Sequence, residues 1–233
     1  MSPLKAKLSQ ITDARLFDGA GREDIDLLLS RNIALPADHL EALLESNGAT
    51  VYGGYARFFG VNSENFIDIL RWNQFNYWKF AWKNRCQDYV CIAETAWGDQ
   101  YAYHIEGLKK GDARIYLLDG LSMTPQIIWS SFTDFLQSEF LRIATAPYDA
   151  MMVQARNKFG DIYPENHLVY SPSLLIGGPE DVNNIMIIQS RAAMIFNGDI
   201  ASQLDAAPVS SIITAVVPYD DDMGRPRLKL VWS

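Results

Sequence analysis

The chain has 233 residues, of which 48% are hydrophobic and 21% are charged, so it can bury a sizeable core and is too apolar for a disordered chain. Its 28 acidic and 20 basic residues give a formal net charge of -8. That balance disfavours direct binding of nucleic acid, because such proteins need cations to replace the counterions on phosphate. It suits a protein partner that is itself basic.

Two further features of the sequence bear on where the protein works. Residues 1–10 contain no apolar segment typical of a secretory signal, and no window reaches the roughly 18 consecutive apolar residues that a membrane-spanning helix needs. Cys86 and Cys91 are too few for a disulfide framework, and neither lies at zinc-binding spacing from other ligands. We therefore expect a cytoplasmic protein with no membrane segment and no bound metal.

Helical patterns come first along the chain, at residues 22–31 and 35–48. In the second pattern Pro36 suits the first turn, where its missing N–H would have no partner. We predict that one face of this helix is buried and that His39 lies on its exposed polar face. The predicted buried face consists of Leu40, Leu43 and Leu44.

The next segments predict a strand, a short helix and an aromatic run. The strand covers residues 51–59, and Ser63 is expected to cap a helix that carries Phe66. Six aromatic side chains then lie between Trp72 and Trp82. Their spacing fits a helix in one part and a strand in another, so periodicity leaves both interpretations open.

Short strands in close succession then predict an antiparallel meander. They cover residues 89–94, 100–105, 113–118 and 125–129. A helix follows that begins at Ser131, and its core face includes Phe132, Phe135 and Leu136. Because helices flank the meander, the sequence favours an α+β fold over a doubly wound sheet.

The predicted boundary lies at Ala144 to Pro147. It gives a domain over residues 1–146 and an α/β extension over residues 147–233. The extension either packs on the domain as one unit or stands apart. In the extension, residues 148–158 predict a helix and residues 163–178 look irregular. The other predicted elements are strands at 184–189, 193–197, 211–217 and 227–232 and a helix at 198–204, with a hairpin loop at 218–224.

Three motifs in this order resemble the SUKH superfamily. The first is a Leu-Pro pair, a Leu-Leu pair and an Asn-Gly pair within residues 35–48. The second is a strand that ends in Glu94 and leads into Trp97-Gly98-Asp99-Gln100-Tyr101. The third is the closing helix with Phe132. The resemblance covers about residues 30–145, and the segments at Tyr163-Pro164 and 172–178 resemble the C-terminal part of immunity proteins from type VI secretion loci.

The resemblance implies an α+β fold that acts by protein contact and uses no cofactor. The superfamily includes a fungal cell-wall synthesis regulator and many bacterial immunity proteins, which are thought to neutralise toxins, often nucleases. Its partners vary, so no binding residue can be transferred to this chain. The leading hypothesis is an immunity protein that neutralises a toxin by direct contact, and a cell-wall-related regulatory scaffold is one alternative.

An enzyme of unknown reaction is the other alternative, with His104 and nearby acids as its site. His104 alternates with Tyr101 and Tyr103 and lies near Asp99 and Glu106, so an acid could hold it as a general base. An ordinary sheet histidine explains the same pattern. Cys86, between basic residues, could have a lowered pKa. The sequence contains no G-x-S-x-G, no phosphate-binding glycine loop and no calcium loop, and we predict no catalytic residue.

The candidate partner-binding residues are acidic loops and exposed tryptophans. Acidic groups can steer a basic toxin and cover its substrate site, whereas the plain interpretation is that they keep the protein dissolved. Tryptophan concentrates binding energy at interfaces. Any exposed rings of the aromatic run would form a patch with the basic residues beside them. Most of the run is expected to fill the core. The candidates are Glu180, Asp181, Asp220, Asp221, Asp222, Trp78 and Trp82.

Overall fold

The structure is a computed structural model that describes residues 3–62 and 67–233. It is a mixed α+β fold, as predicted. The helices are α1 (Pro3–Leu8), α2 (Arg22–Ser30), α3 (Ala37–Glu45), α4 (Ile69–Trp72), α5 (Ile105–Leu108), α6 (Phe132–Phe135), α7 (Leu141–Thr145), α8 (Ala150–Phe159) and α9 (Ser190–Leu204). A π-helical turn, Leu136–Phe140, joins α6 to α7. The predicted cap Ser63 and Phe66 lie outside the described residues.

The strands form one large sheet and two hairpins. They are β1 (Arg15–Leu16), β2 (Ala49–Val51), β3 (Ala56–Phe58), β4 (Tyr89–Thr95), β5 (Gln100–His104), β6 (Ile115–Leu118), β7 (Pro125–Trp129), β8 (Asn166–Tyr170), β9 (Ile185–Gln189), β10 (Ile213–Asp220) and β11 (Pro226–Trp232). Over the described residues, β1 to β7 follow one another in sequence order as an antiparallel sheet. The predicted meander is therefore confirmed and extends to the N-terminal side. The predicted strand 51–59 is interrupted by a 3-10 turn at Tyr52–Gly54.

Helix α3 forms where the sequence predicts it, but it presents a different face to the core. Leu43 is buried at 0% exposure, whereas Leu44 is 53% exposed. His39, predicted on the exposed face, is fully buried. Its ring stacks on Phe132 with 3.8 Å between centroids, and its Nδ1 lies 3.3 Å from the Tyr103 hydroxyl. Aromatic stacking has thus turned the helix so that His39 joins Leu43 in the interface.

Most of the aromatic run lies in the core, and it forms neither a single helix nor a strand. It begins in α4 and ends in a 3-10 turn over Lys79–Trp82. Trp72 is 3% exposed, and its Nε1 donates to Gln100 Oε1 at 2.7 Å. Lys79 is also buried, and its ammonium group donates to the side chain of Asn73 and to the backbone of Tyr89. The tryptophans of the run therefore fill the core, whereas Phe75 is 49% exposed.

The C-terminal extension combines two hairpins with α9. The β8–β9 and β10–β11 pairs are both antiparallel. Strand β8 lies in the segment predicted to be irregular, and the predicted strand 193–197 is wrong, because these residues belong to α9. Helix α9 is buried along much of its length and packs against β11 and β8, so residues 192–196, which are all apolar, show no helical stripe in the sequence.

A buried ionic network joins the extension to the large sheet. Arg57 of β3 and Glu94 of β4 are both fully buried, and Arg57 Nε lies 3.2 Å from Glu94 Oε1. The same carboxylate oxygen lies 3.1 Å from Nε2 of His167 in β8. The Arg57 guanidinium also donates to the backbone carbonyls of Tyr163, Pro164 and Asn166. Among the described residues, every polar partner of the Arg57 side chain outside the sheet therefore belongs to the extension.

Backbone and packing contacts reinforce this junction. The Leu168 N–H donates to the Ala96 carbonyl at 2.8 Å. In α9, Gly198 lies so close to Trp82 that a Cβ would come within 2.9 Å of the indole, so only glycine lets the helix approach the aromatic run. We propose that residues 147–233 are not an independent domain but fold as one unit with residues 1–146, which we call the SUKH-like part.

The rotated face of α3 predicts opposite effects for adjacent leucines. Leu43→Ala should lower the free energy of unfolding by about 2–5 kcal/mol, because it leaves a cavity in the core. Leu44→Ala, the matched control, should change it by less than about 0.5 kcal/mol. Urea unfolding of the two variants measures both values, and equal losses would contradict this placement of the helix.

The buried His39 predicts a pH-dependent stability. Burial lowers its pKa from 6.5 to about 3, so between these values the unfolded chain binds a proton that the folded chain does not. Stability should therefore fall as pH drops below 6.5, by up to about 1.4 kcal/mol per pH unit from this group. Unfolding free energies measured from pH 7 to pH 5 for the wild type and for His39→Asn should show a shallower slope in the variant.

That pH range separates His39 from Glu94 of the ionic network. Burial alone would raise the pKa of Glu94, but the charges of His167 and Arg57 bring it below its ordinary value of 4.5. The stability that Glu94 contributes is present above the ordinary pKa and is lost as pH falls through the lowered value. Identical slopes in the wild type and His39→Asn above pH 5 would show that the buried His39 does not cause the pH dependence of stability.

Arg57→Leu should destabilise the whole chain by about 3–5 kcal/mol, because it leaves Glu94 buried and without one of its two counter-charges. Arg22→Leu, at an exposed position of α2, is the matched control.

Native-state hydrogen exchange should give β4 and α9 the same opening free energy in the wild type. If α9 opens at a much lower free energy than β4, the extension is a separate unit.

Candidate functional site

The structure places the two candidate tryptophans inside the protein. Trp78 and Trp82 are both 0% exposed, so neither has a surface through which to contact a partner, and we remove both from the candidate set. Trp82 lies against Gly198 of α9, as described above. The basic residues next to the run also contact the extension. Lys83 donates to the Ser202 carbonyl, and Arg85 pairs with Asp205.

The three aspartates at the hairpin tip have different environments. Asp220 and Asp222 are exposed. Asp221 is held by its own hairpin: its Oδ2 accepts from Arg225 Nε at 2.7 Å, and its Oδ1 accepts from the backbone N–H of Met223. The hydrogen bonds from Arg225 are the main reason why the pKa of Asp221 is well below its ordinary value. Asp221 therefore shapes the tip, which leaves Asp220 and Asp222 free for contacts.

Arg227 anchors the hairpin to the rest of the extension. Its guanidinium pairs with Asp199 of α9, a side chain with only 3% exposure, and Arg225 lies 3.7 Å above the Phe80 ring. The tip acids are thus presented on a hairpin that is fixed close to its tip.

Glu180 borders a cavity of about 180 Å³ that we call the acidic cleft. The SUKH-like part supplies Trp97, Asp99, Asp119 and neighbouring residues, and the extension supplies Asp149, Tyr170, Glu180, Asn197 and others. Among the described residues that line it, none is basic. Asp181 is exposed beside Glu180 but does not line the cleft.

One wall of the acidic cleft is an aromatic pair. Trp97 follows β4 and Tyr170 ends β8, and their rings stack with centroids 5.4 Å apart at an interplanar angle of 5°. The pair bridges the two parts of the chain. Loss of hydration raises the pKa of Tyr170 to about 12, and the charges of Glu180 and Asp149 contribute.

Two acids of the cleft, Asp119 and Asp149, are each fixed through one oxygen. Asp119 Oδ1 accepts from the backbone of Leu121 and Ser122, and Asp149 Oδ1 caps α8 by accepting from the backbone of Met151 and Met152. Over the described residues, the second oxygen of each carboxylate has no hydrogen-bond partner. Neither residue was among the candidates from the sequence, although an aspartate before a helix is a recognisable capping signal.

Asp99 differs from the other acids because its two oxygens are both used. Oδ2 accepts from Thr95 Oγ1 and Oδ1 accepts from the Gly120 N–H, each at 2.8 Å. Loss of hydration raises the pKa of Asp99 despite these hydrogen bonds, and the nearby charges of Asp119 and Asp149 add to the rise. Asp99 therefore holds the turn that carries Trp97 and is not available to a ligand.

Two other cavities have different chemistry. One, of about 380 Å³, lies between the sheet edge and residues 161–165 and contains Arg15 and Asp161, which partly neutralise each other. The other, of about 410 Å³, is mainly apolar and lies between the two hairpins, with Phe196 and Val216 among its lining residues. Neither concentrates charge of one sign.

The residues that the sequence suggested for catalysis have structural roles. His104 caps α5 by accepting from the Gly107 N–H, and it packs against Tyr89. His104 is absent from the walls of the three cavities described above. Burial raises the pKa of Cys86 to about 12, which corrects the expectation of a lowered value. Within the described residues, no group of acids, histidines and cysteines could hold a metal ion.

Comparison with solved structures supports the fold. A crystal structure of Atu4351 from Agrobacterium tumefaciens has a similar fold, with a TM-score of 0.54, 12% sequence identity and 94% of each chain covered. That alignment includes most of the extension. No curated protein matches the sequence. In the described part of the chain, no helix combines the length and apolarity needed to cross a bilayer.

The family comparison agrees with the motifs and with the meander. Residues 26–138 match the model of the SMI1/KNR4 family (SUKH-1). This range contains α3, the strands β2 to β7 and α6, which together carry the three motifs of the sequence. By its sequence, the segment from residue 26 to residue 138 is similar to the SMI1/KNR4 (SUKH-1) family.

Proposed function

We propose that this chain is an immunity-type protein of the cytoplasm that neutralises a basic toxin, such as a nuclease, by direct contact. The match of residues 26–138 to the SUKH-1 model supports action through protein binding and is compatible with immunity and regulatory roles. The single observation that carries the finer proposal is the acidic cleft, in which acids from both parts of the chain meet without a basic residue among the described residues that line it.

Charge is the physical reason for preferring a basic partner. Toxins that cleave nucleic acid need cationic surfaces to bind phosphate. The chain carries a net charge of -8, and the exposed acids Glu180, Asp181, Asp220 and Asp222 add local negative potential. Complementary charge speeds association and disfavours wrong partners. A regulatory scaffold would also bind proteins, but it gives no reason for a cleft of one charge sign.

The direct test is co-expression with a toxin encoded by a neighbouring gene. We expect the chain to restore growth and to co-purify with the toxin, and purified chain should inhibit the toxin at equimolar concentration. Restored growth without a detectable complex would favour an indirect mechanism. Toxicity that persists while the folded chain accumulates would contradict the proposal for that pair.

Electrostatic steering predicts a salt-dependent association rate. The Debye length falls from about 10 Å at 0.1 M salt to about 3 Å at 1 M salt, so the on-rate should fall steeply over this range. Asp220→Asn/Asp222→Asn should weaken the dependence, and Glu23→Gln/Asp26→Asn on α2 is the charge-matched control. Stopped-flow mixing measures the rates. A salt-independent on-rate would rule out steering, and equal effects of the two pairs would exclude a special role for the hairpin tip.

A further inference from the structure

The acidic cleft has the features of a site for one cationic side chain. Three carboxylates, those of Asp119, Asp149 and Glu180, border a single cavity of about 180 Å³. That volume is well above the roughly 10–15 Å³ that a single water molecule requires. With no basic group among the described residues of its lining, the negative charge has no internal partner.

The orientation of two of these acids is fixed before any ligand arrives. Asp119 and Asp149 are each held by backbone N–H groups through Oδ1, which leaves Oδ2 without a partner among the described residues. The carboxylate of Glu180 makes no hydrogen bond or ion pair with any residue that the structure describes. Fixed acceptors lose little entropy on binding, which favours affinity.

A second and independent feature is Asn197 of α9. This side chain is only 7% exposed and lies between the cleft and the apolar cavity, lining both, and its Nδ2 donates to the Gly120 carbonyl at 3.2 Å. That hydrogen bond identifies the other amide atom as the oxygen. Within the described part of the chain, Asn197 Oδ1 accepts no hydrogen bond. An accessible amide oxygen on a side chain that is otherwise buried can accept from a ligand that donates.

The shape of the lining indicates a group at the end of an apolar stem. The aromatic pair Trp97 and Tyr170, together with Leu168 and Met151, gives the cleft an apolar wall beside its carboxylates. Long basic side chains bury their methylene groups against such surfaces while the charged end meets its partners. Guanidinium offers five N–H donors in a planar fork, which suits several separate acceptors better than a compact ammonium does.

We propose that the acidic cleft binds the side chain of an arginine that protrudes from the partner protein. The inference rests on the proposed function for the identity of the partner, but the chemistry of the cleft can be tested without one. The cleft is built at the junction of the SUKH-like part and the extension, so neither part would present it alone.

The probe is N-acetyl-arginine amide, titrated into the full chain at fixed ionic strength. The readouts are the amide signals of Gly120 and Tyr170 and the indole N–H signal of Trp97 in two-dimensional NMR spectra. We expect saturable shifts with the arginine probe and none with N-acetyl-citrulline amide, which has a similar shape but no charge. N-acetyl-lysine amide should bind more weakly. Equal binding of the citrulline or lysine probe would overturn the guanidinium assignment.

Neighbouring acids provide a matched pair of variants. Glu180→Gln should weaken the arginine probe by about threefold or more, as expected for the loss of one partly exposed ion pair. Asp181→Asn removes the same charge one residue away, outside the cleft, and should leave the affinity within about twofold. The Glu180 carboxylate bonds to no described residue, so the variant should fold normally. Equal losses in both variants would show that only general charge matters and would overturn the proposal.

A final arm separates this inference from the proposed function. If the chain neutralises a toxin but the arginine probe does not bind, the cleft is not an arginine site even though the function holds. If the probe binds as expected and no toxin is neutralised, the cleft assignment stands and the identity of the partner is wrong. Loss of Asn197 Oδ1 in Asn197→Leu should also weaken the probe, and unchanged affinity in that folded variant would contradict the role of the amide.

Discussion

The buried group of Arg57, Glu94 and His167 is the interaction on which the arrangement of this protein depends. Removing a guanidinium and a carboxylate from water is costly unless each finds its counter-charge and its hydrogen bonds. Here the sheet supplies the pair, and the extension supplies His167 and three backbone carbonyls. Because the sheet alone does not satisfy Arg57, we propose that the extension is part of the fold and not an appendage.

This junction also explains what the aromatic run does. Its tryptophans look like interface residues in the sequence, and in one sense they are, because Trp82 contacts α9 and Phe80 lies under Arg225 and Arg227 of the last hairpin. The surface that they recognise belongs to the same chain. Once the extension is docked, the turn that carries Trp97 meets Tyr170, and the acids of both parts surround one cleft.

Much of the fold could be predicted because its signals are local. The strands from residue 89 to residue 129 are separated by glycine-bearing or polar turns, and the loop of the last hairpin, residues 221–225, overlaps the predicted loop 218–224, of which residues 218–220 belong to β10. The failures have non-local causes. Leu44 and His39 exchange roles in α3 because a ring on another element, Phe132, stacks on the histidine. Residues 193–197 resemble a strand in the sequence because a helix buried on most sides loses its polar face.

The candidate site could be predicted only in part, for the same reason. Glu180 stands out as an acid in a loop, but its partners Asp119 and Asp149 are far away in sequence and look like ordinary turn and cap residues. Asn197 gives no signal at all, because its amide matters only when α9 lies beside Gly120. Charge composition indicates a basic partner, whereas the place of contact follows from tertiary packing.

The central claim is that the protein meets its partner through the acidic cleft at the junction of its two parts. Hydrogen–deuterium exchange of the chain with and without its purified partner tests this most directly. Binding should slow exchange in residues 118–122, 149–153 and 168–181, while residues 105–112 at the far end of β5 stay unchanged. Protection confined to α2 and α3, with the cleft segments exchanging as in the free chain, would contradict it.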